Sequence, residues 1–89
     1  MYQVYTLPNC EKCHKAVDIF KEKGFEYQEI SLTSGDGLKM IRELTRKYKD
    51  RILREGGSLV LPLITTDNNS EMRIYQGEEG LAKLLSESA

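Results

Sequence analysis

Thr6-Leu7-Pro8-Asn9-Cys10-Glu11-Lys12-Cys13-His14-Lys15-Ala16, TLPNCEKCHKA, follows a strand-like opening and contains the only two cysteines of the 89-residue chain. Two cysteines separated by two residues, with a histidine after the second, fit three chemistries: a redox pair, half of a zinc site, or a covalent haem anchor. The flanking pattern decides among them. Before the motif, Tyr2–Thr6 (YQVYT) is aromatic and β-branched and predicts a strand. After it, Cys13, Ala16 or Val17, and Phe20 recur at helical spacing and predict a helix that stops at Gly24, with Lys21 and Lys23 in its last turn. Pro8 and Asn9 make a turn, with Asn9 expected as the N-cap. The cysteines therefore sit where a strand hands over to a helix.

The same reading continues outward. FEYQEISL predicts a second strand. TSGDG is a loop in which Ser34 or Asp36 caps a second helix, and Leu38, Ile41, Leu44 and Tyr48 form its apolar stripe with Met40 beside it. Ile52 and Leu53 either prolong that helix or form a separate turn, and Gly56-Gly57 ends the segment. SLVLPLITT reads as a buried strand interrupted by Pro62, DNNS as a hairpin turn, and EMRIYQG as the returning strand. A last helix starts after Gly77 with Glu78 and Glu79 at its positive end and runs through Leu81, Leu84 and Leu85. The order β-α-β-α-β-β-α predicts an α/β fold: a small mixed four-stranded sheet flanked by three helices on both faces. The first two strands are parallel across a helical crossover, and the last two are an antiparallel hairpin.

Bulk properties narrow the class. The chain is 39% hydrophobic and 30% charged, which places it with ordinary globular proteins. The length predicts one domain spanning residues 1–89. Thirteen basic and 14 acidic residues give a net charge of −1, so neither nucleic acid nor a membrane is expected as partner. The longest apolar run, LVLPLI, is too short to span a bilayer, and no signal peptide is visible, so the expected compartment is the cytoplasm. Thiols are kept reduced there, which disfavours a purely structural disulfide. So short a ring would in any case contribute only about 2 kcal/mol by loop entropy.

Redox chemistry explains the position of the pair. A thiolate attacks disulfides, and an ordinary cysteine with a pKa near 8.5 is only about 3% ionised at neutral pH. Lowering the pKa to about 7 takes roughly 2 kcal/mol. A partly buried helix N-terminus supplies up to ~2 kcal/mol through its dipole and free amide donors. Cys10 stands where those donors point, and Lys12 adds positive charge nearby. Cys13, one turn later, faces the core within disulfide reach. Cys10 is thus the expected exposed nucleophile and Cys13 the buried resolving thiol.

Strand, turn, PNCEKC, helix, second strand, a proline within LVLPLI and a glycine before the last helix resemble the glutaredoxins, within the thioredoxin fold, over nearly the whole chain. The resemblance implies that Pro62 is cis and lies beside the cysteines, and that Leu61 offers backbone hydrogen bonds to substrate. Asn9, Glu11, Lys12 and Gly77 complete the implied substrate-binding set. Glutathione-using members carry a basic residue ahead of the cysteine motif, an aromatic near the cysteines, a polar residue before the proline, and Gly-Gly followed by Asp near the last helix. The corresponding places here hold Leu7, Glu11 and Lys12, Leu61, and Gln76-Gly77 with Gly80. Electrons are therefore expected from glutathione, as a co-substrate, or from a thioredoxin-reductase-type donor.

The expectation is a monomeric thiol–disulfide oxidoreductase that acts as an electron carrier on disulfide-containing protein clients and glutathione mixed disulfides, without bound metal or cofactor. Its potential is expected roughly within −270 to −200 mV, by comparison with such carriers. The alternatives are a non-catalytic interaction or regulatory module on the same fold, an arsenate-reductase-like protein, and metal or haem binding through CEKCH with Met40 or Met72 as axial ligand. Haem attachment needs export, and zinc needs four ligands where the motif offers two cysteines and one histidine. His14 reads as a surface helix residue. Tyr5, Tyr27, Tyr48 and Tyr75 read as core or interface residues, and RELTRKYKDR as a solvated helix face.

Overall fold

The architecture comes from a computed structural model that describes residues 1–68 and 71–87, Asn68 by its backbone alone. The elements in chain order are β1 (Tyr2–Thr6), α1 (Glu11–Lys23), β2 (Tyr27–Ser31), α2 (Gly35–Lys47), a 3-10 turn (Lys49–Arg51), β3 (Arg54–Glu55), β4 (Ser58–Leu59), β5 (Leu63–Asn68), β6 (Glu71–Gln76) and α3 (Gly77–Glu87). The main sheet has the order β2-β1-β5-β6. β1 runs parallel to β2, with Tyr2 opposite Tyr27, and antiparallel to β5, with Tyr5 opposite Leu63. β5 and β6 pair antiparallel from Leu63 opposite Gln76 to Asn68 opposite Glu71. The turn expected at DNNS falls partly on residues 69–70, outside the described residues.

The alternation of β1 feeds two cores. Val4 and Ile64 point to one face, where Ala16, Val17 and Phe20 of α1 meet Leu81 and Leu84 of α3. Tyr5 and Leu63 point to the other face, where Leu44 of α2 and Ile30 of β2 close over them. A strand presents successive side chains to opposite faces, so a central strand with Val4 and Tyr5 both buried needs helices on both sides. Phe20 is fully buried among Tyr2, Phe25 and Tyr27, with ring centroids 5.2, 5.4 and 5.9 Å away. Its burial contributes roughly 1.5–3 kcal/mol and fixes α1 against the sheet. α1 ends at Gly24, whose N–H donates to the carbonyls of Phe20 and Lys21. Ser34 caps α2 by accepting the N–H of Gly37 at 2.9 Å.

Three expectations are corrected. SLVLPLITT is not one interrupted strand: Pro62 lies ahead of β5, and Ser58–Leu59 pairs with Arg54–Glu55 in a separate two-stranded sheet. Gly56-Gly57 does not end a helix but turns this hairpin, at φ of 59° and 82°. Two consecutive positive φ values are the turn that matches strand twist, and glycine reaches them without a side-chain penalty. The stripe of α2 is also only partly covered. Leu44 is buried, whereas Leu38 remains 42% exposed.

Candidate active site

The cysteine pair sits at the N-terminus of α1. Cys10 itself is the N-cap, with extended dihedrals of φ −93° and ψ 101°, and its Sγ accepts the N–H of Cys13 at 3.2 Å. This displaces Asn9 from the capping role expected of it. Asn9 is an exposed turn residue one position too early, and sulfur replaces the usual capping oxygen. The carbonyl of Leu7 accepts the N–H of Cys10 at 3.1 Å, and the Cys10 carbonyl accepts the N–H of His14 at 3.1 Å, the first bond of the helix. The sulfur therefore lies among amides that have no intrahelical acceptor, at the positive end of the helix dipole.

Cys10 and Cys13 are joined by a disulfide with their Cα atoms 5.2 Å apart, within the range a bridge spans. Cys13 is completely buried; Cys10 is partly exposed. The two sulfurs thus differ in access in the sense expected for an attacking and a resolving thiol. His14 is exposed, yet its Nε2–H donates to the carbonyl of Pro8 at 2.9 Å, so the ring fastens the turn that carries Cys10. Reading the sequence placed His14 on the surface but not in this bond. A histidine six residues after a proline turn, on the first exposed turn of a helix, is a weak signal at best.

A cleft beside α1 is built from distant segments, and α1 reaches it through Lys12 and Lys15 rather than through the cysteines. The Leu61–Pro62 bond is cis, in agreement with the resemblance. Pro62 is buried and lines a cleft of about 300 Å³ with Lys12 and Lys15 of α1 and with Glu78, Leu81 and Leu85 of α3. The N–H of Gly77 donates to the Pro62 carbonyl at 3.0 Å, which fixes the end of β6 against the proline. Lys12 and Glu78 make an exposed ion pair at 3.9 Å across the mouth. The site residues named from sequence thus divide. Lys12, Pro62 and Gly77 meet around this cleft, Leu61 adjoins it by sequence, and Asn9 and Glu11 are exposed residues outside its lining.

Gln76 was missed as a structural element. It is 6% exposed, and its amide is committed on both sides. Oε1 accepts the N–H of Leu53 at 2.7 Å, and Nε2 donates to the carbonyls of Leu53 at 3.0 Å and Val60 at 3.1 Å. A signal was present. Gln76 continues the phase of Met72 and Ile74 along the strand, and a polar side chain in an apolar phase needs a buried partner.

The other readings place differently. Met40 and Met72 pack in the core on the face opposite α1, away from the cysteines. Among the described residues no cluster of three or more His, Cys, Asp or Glu is placed to hold a metal ion, and no helix is long and apolar enough to cross a membrane. Tyr5 and Tyr75 are buried. Burial pushes both hydroxyls above the usual tyrosine range, opposed at Tyr5 by the hydrogen bond with Thr65 and reinforced at Tyr75 by the bond to Glu87. Both stay protonated near neutral pH, as packing residues do.

A family model described as Glutaredoxin matches residues 3–70. Among solved structures, a mutant of the thioredoxin-like protein BC3987 superposes with a TM-score of 0.54 at 18% identity, covering 96% of this chain and 99% of that one. That likeness reports the fold. No curated protein matches the sequence.

Proposed function

The chain belongs to the glutaredoxin family, and on that premise we propose that it is a cytoplasmic electron carrier that reduces protein disulfides and glutathione mixed disulfides through Cys10 and Cys13. The family and the CxxC disulfide make it a thiol–disulfide oxidoreductase in general. One observation carries the finer reading: two disulfide-linked sulfurs of unequal access at a helix start, the accessible one as the cap.

In the reduced protein the α1 amides and dipole stabilise the Cys10 thiolate, and Lys12 adds to the positive field. The thiolate attacks one sulfur of the client disulfide. A new S–S bond forms to Cys10, the client's own S–S bond breaks, and the departing thiolate takes the electron pair and then a proton from water. The client is held at Leu61, whose backbone N–H and carbonyl have no hydrogen bond within the described residues. Cys13 loses its proton and attacks the Cys10 sulfur. The second client thiolate leaves, and the Cys10–Cys13 bond closes. Two electrons have passed from the dithiol to the client, so a donor must return two electrons and two protons. Glutathione or a thioredoxin-reductase-type protein supplies them. No metal or organic cofactor takes part, and the protein acts as a monomer.

The test is reduction of the oxidised protein by glutathione and, separately, by thioredoxin reductase with NADPH, coupled to turnover of a protein disulfide. Turnover with one of these donors, lost in Cys10→Ser, supports the reading. Absence of turnover with both donors and with dithiothreitol overturns it.

A further inference from the structure

We propose that Gln76 is a positioning residue that sets the geometry of the client-binding backbone at Leu61, a role that rests on the function proposed above. Leu61 lies between two carbonyls fastened by neighbouring residues. Val60 O accepts from the Gln76 side chain at 3.1 Å, and Pro62 O accepts from the Gly77 N–H at 3.0 Å. Gln76 is itself held by the sheet, where it pairs with Leu63, the first residue after the proline. The dipeptide is therefore clamped from both sides by residues 76 and 77.

The same amide also pins the hairpin. Leu53 gives Gln76 its N–H and accepts a hydrogen from it, as a backbone partner in a sheet does, and the Leu53 carbonyl accepts in addition from Val60 N–H at 3.3 Å. Leu53 and Val60 flank the β3–β4 hairpin on either side, and among the described residues its strands pair with each other alone. One buried side chain thus joins this small sheet to the main one beside the strand start that a client meets. The amide is needed because it must donate twice and accept once. A carboxylate of the same shape accepts only and turns its lone pairs on two carbonyls. A leucine leaves the Leu53 N–H and the Val60 carbonyl without this partner and takes one of two donors from the Leu53 carbonyl.

The closing experiment compares two disulfides with the same leaving group. One is bis(2-hydroxyethyl) disulfide, too small to pair with Leu61. The other is an eight-residue peptide whose central cysteine carries a mixed disulfide with 2-mercaptoethanol. The ratio of their second-order rate constants, peptide over small disulfide, cancels changes in the thiolate. In Gln76→Glu this ratio is expected to fall roughly tenfold, as for loss of one well-formed hydrogen bond to the peptide. Gln76→Asn keeps the amide and shortens its reach, and is read in the same way should Gln76→Glu not fold; an unaltered Cys10 titration identifies a folded variant. An unchanged ratio in a folded variant with an active parent overturns the role of Gln76 alone. A parent that reduces neither disulfide overturns the proposed function and this role with it.

Discussion

The two walls of the site are built in opposite ways. The cysteine wall is local: Leu7, Pro8, Cys10, Cys13 and His14 bond to one another within eight positions, through two backbone pairs, the Cys10 sulfur and the His14 ring, and a helix start supplies the field. The proline wall is assembled at long range: Leu53, Val60, Pro62, Gln76 and Gly77 meet through bonds that span up to 23 positions. In the function proposed above, the first wall supplies the reacting sulfurs and the second the backbone at which a client is held. The difference teaches that chemistry and recognition can be lost separately, and each prediction below tests that separation.

The largest effects belong to the local wall. Cys10→Ser removes the attacking sulfur, and turnover of a protein disulfide should fall on the order of a thousandfold or more. Cys13→Ser leaves Cys10 to attack once. Mass spectrometry after exposure to a protein disulfide should find the client still covalently attached to Cys10, with no release. Release at the parent's rate in Cys13→Ser breaks the comparison, because the resolving step would then lie outside this wall.

The contrast also explains what was legible. The cysteine wall could be read because its determinants lie within one turn of chain: a turn, two cysteines and the apolar spacing of Ala16, Val17 and Phe20. Even there the cap was misplaced by one residue, since Asn9 and Cys10 both follow the proline and only the backbone says which enters α1. The order of the main elements was legible for the same reason. Periodicity reports which face is buried, and the order β-α-β-α-β-β-α already implied helices on both sides. The hairpin Arg54–Leu59 was not legible. Its strands are two residues each, too short for alternation to register, and Gly56-Gly57 reads equally as a helix stop and as a turn. Gln76 could be flagged as a polar residue in an apolar phase, but its partners, 16 and 23 positions away, leave no local trace.

Gly77→Ala probes the long-range wall at its tightest point. Gly77 has φ of 70°, and a Cβ there would stand 3.1 Å from Val60 Cγ1. The left-handed backbone costs an L-residue roughly 1–2 kcal/mol, and the Val60 contact adds to it. The midpoint of urea unfolding should fall accordingly with its slope unchanged. Thiol titration of the reduced variant should still show Cys10 ionising as in the parent. A loss of Cys10 acidity in Gly77→Ala would mean that the two walls are one mechanical unit.

The smallest effect is expected where the walls touch. Lys12 of α1 and Glu78 of α3 face each other at 3.9 Å, with side chains 61% and 72% exposed. At that exposure water screens the charges, and holding two long side chains in one geometry opposes what attraction remains. A double-mutant cycle of Lys12→Ala and Glu78→Ala on unfolding should therefore give a coupling below about 0.5 kcal/mol, shrinking further in added salt. The single variants need not be equivalent in activity. Lys12→Ala removes a positive charge two residues from Cys10 and should slow disulfide attack modestly, whereas Glu78→Ala releases Lys12 and should leave it unchanged or slightly faster. A coupling well above 1 kcal/mol would make this bridge a clamp between chemistry and recognition, and the two walls would no longer be separable by mutation.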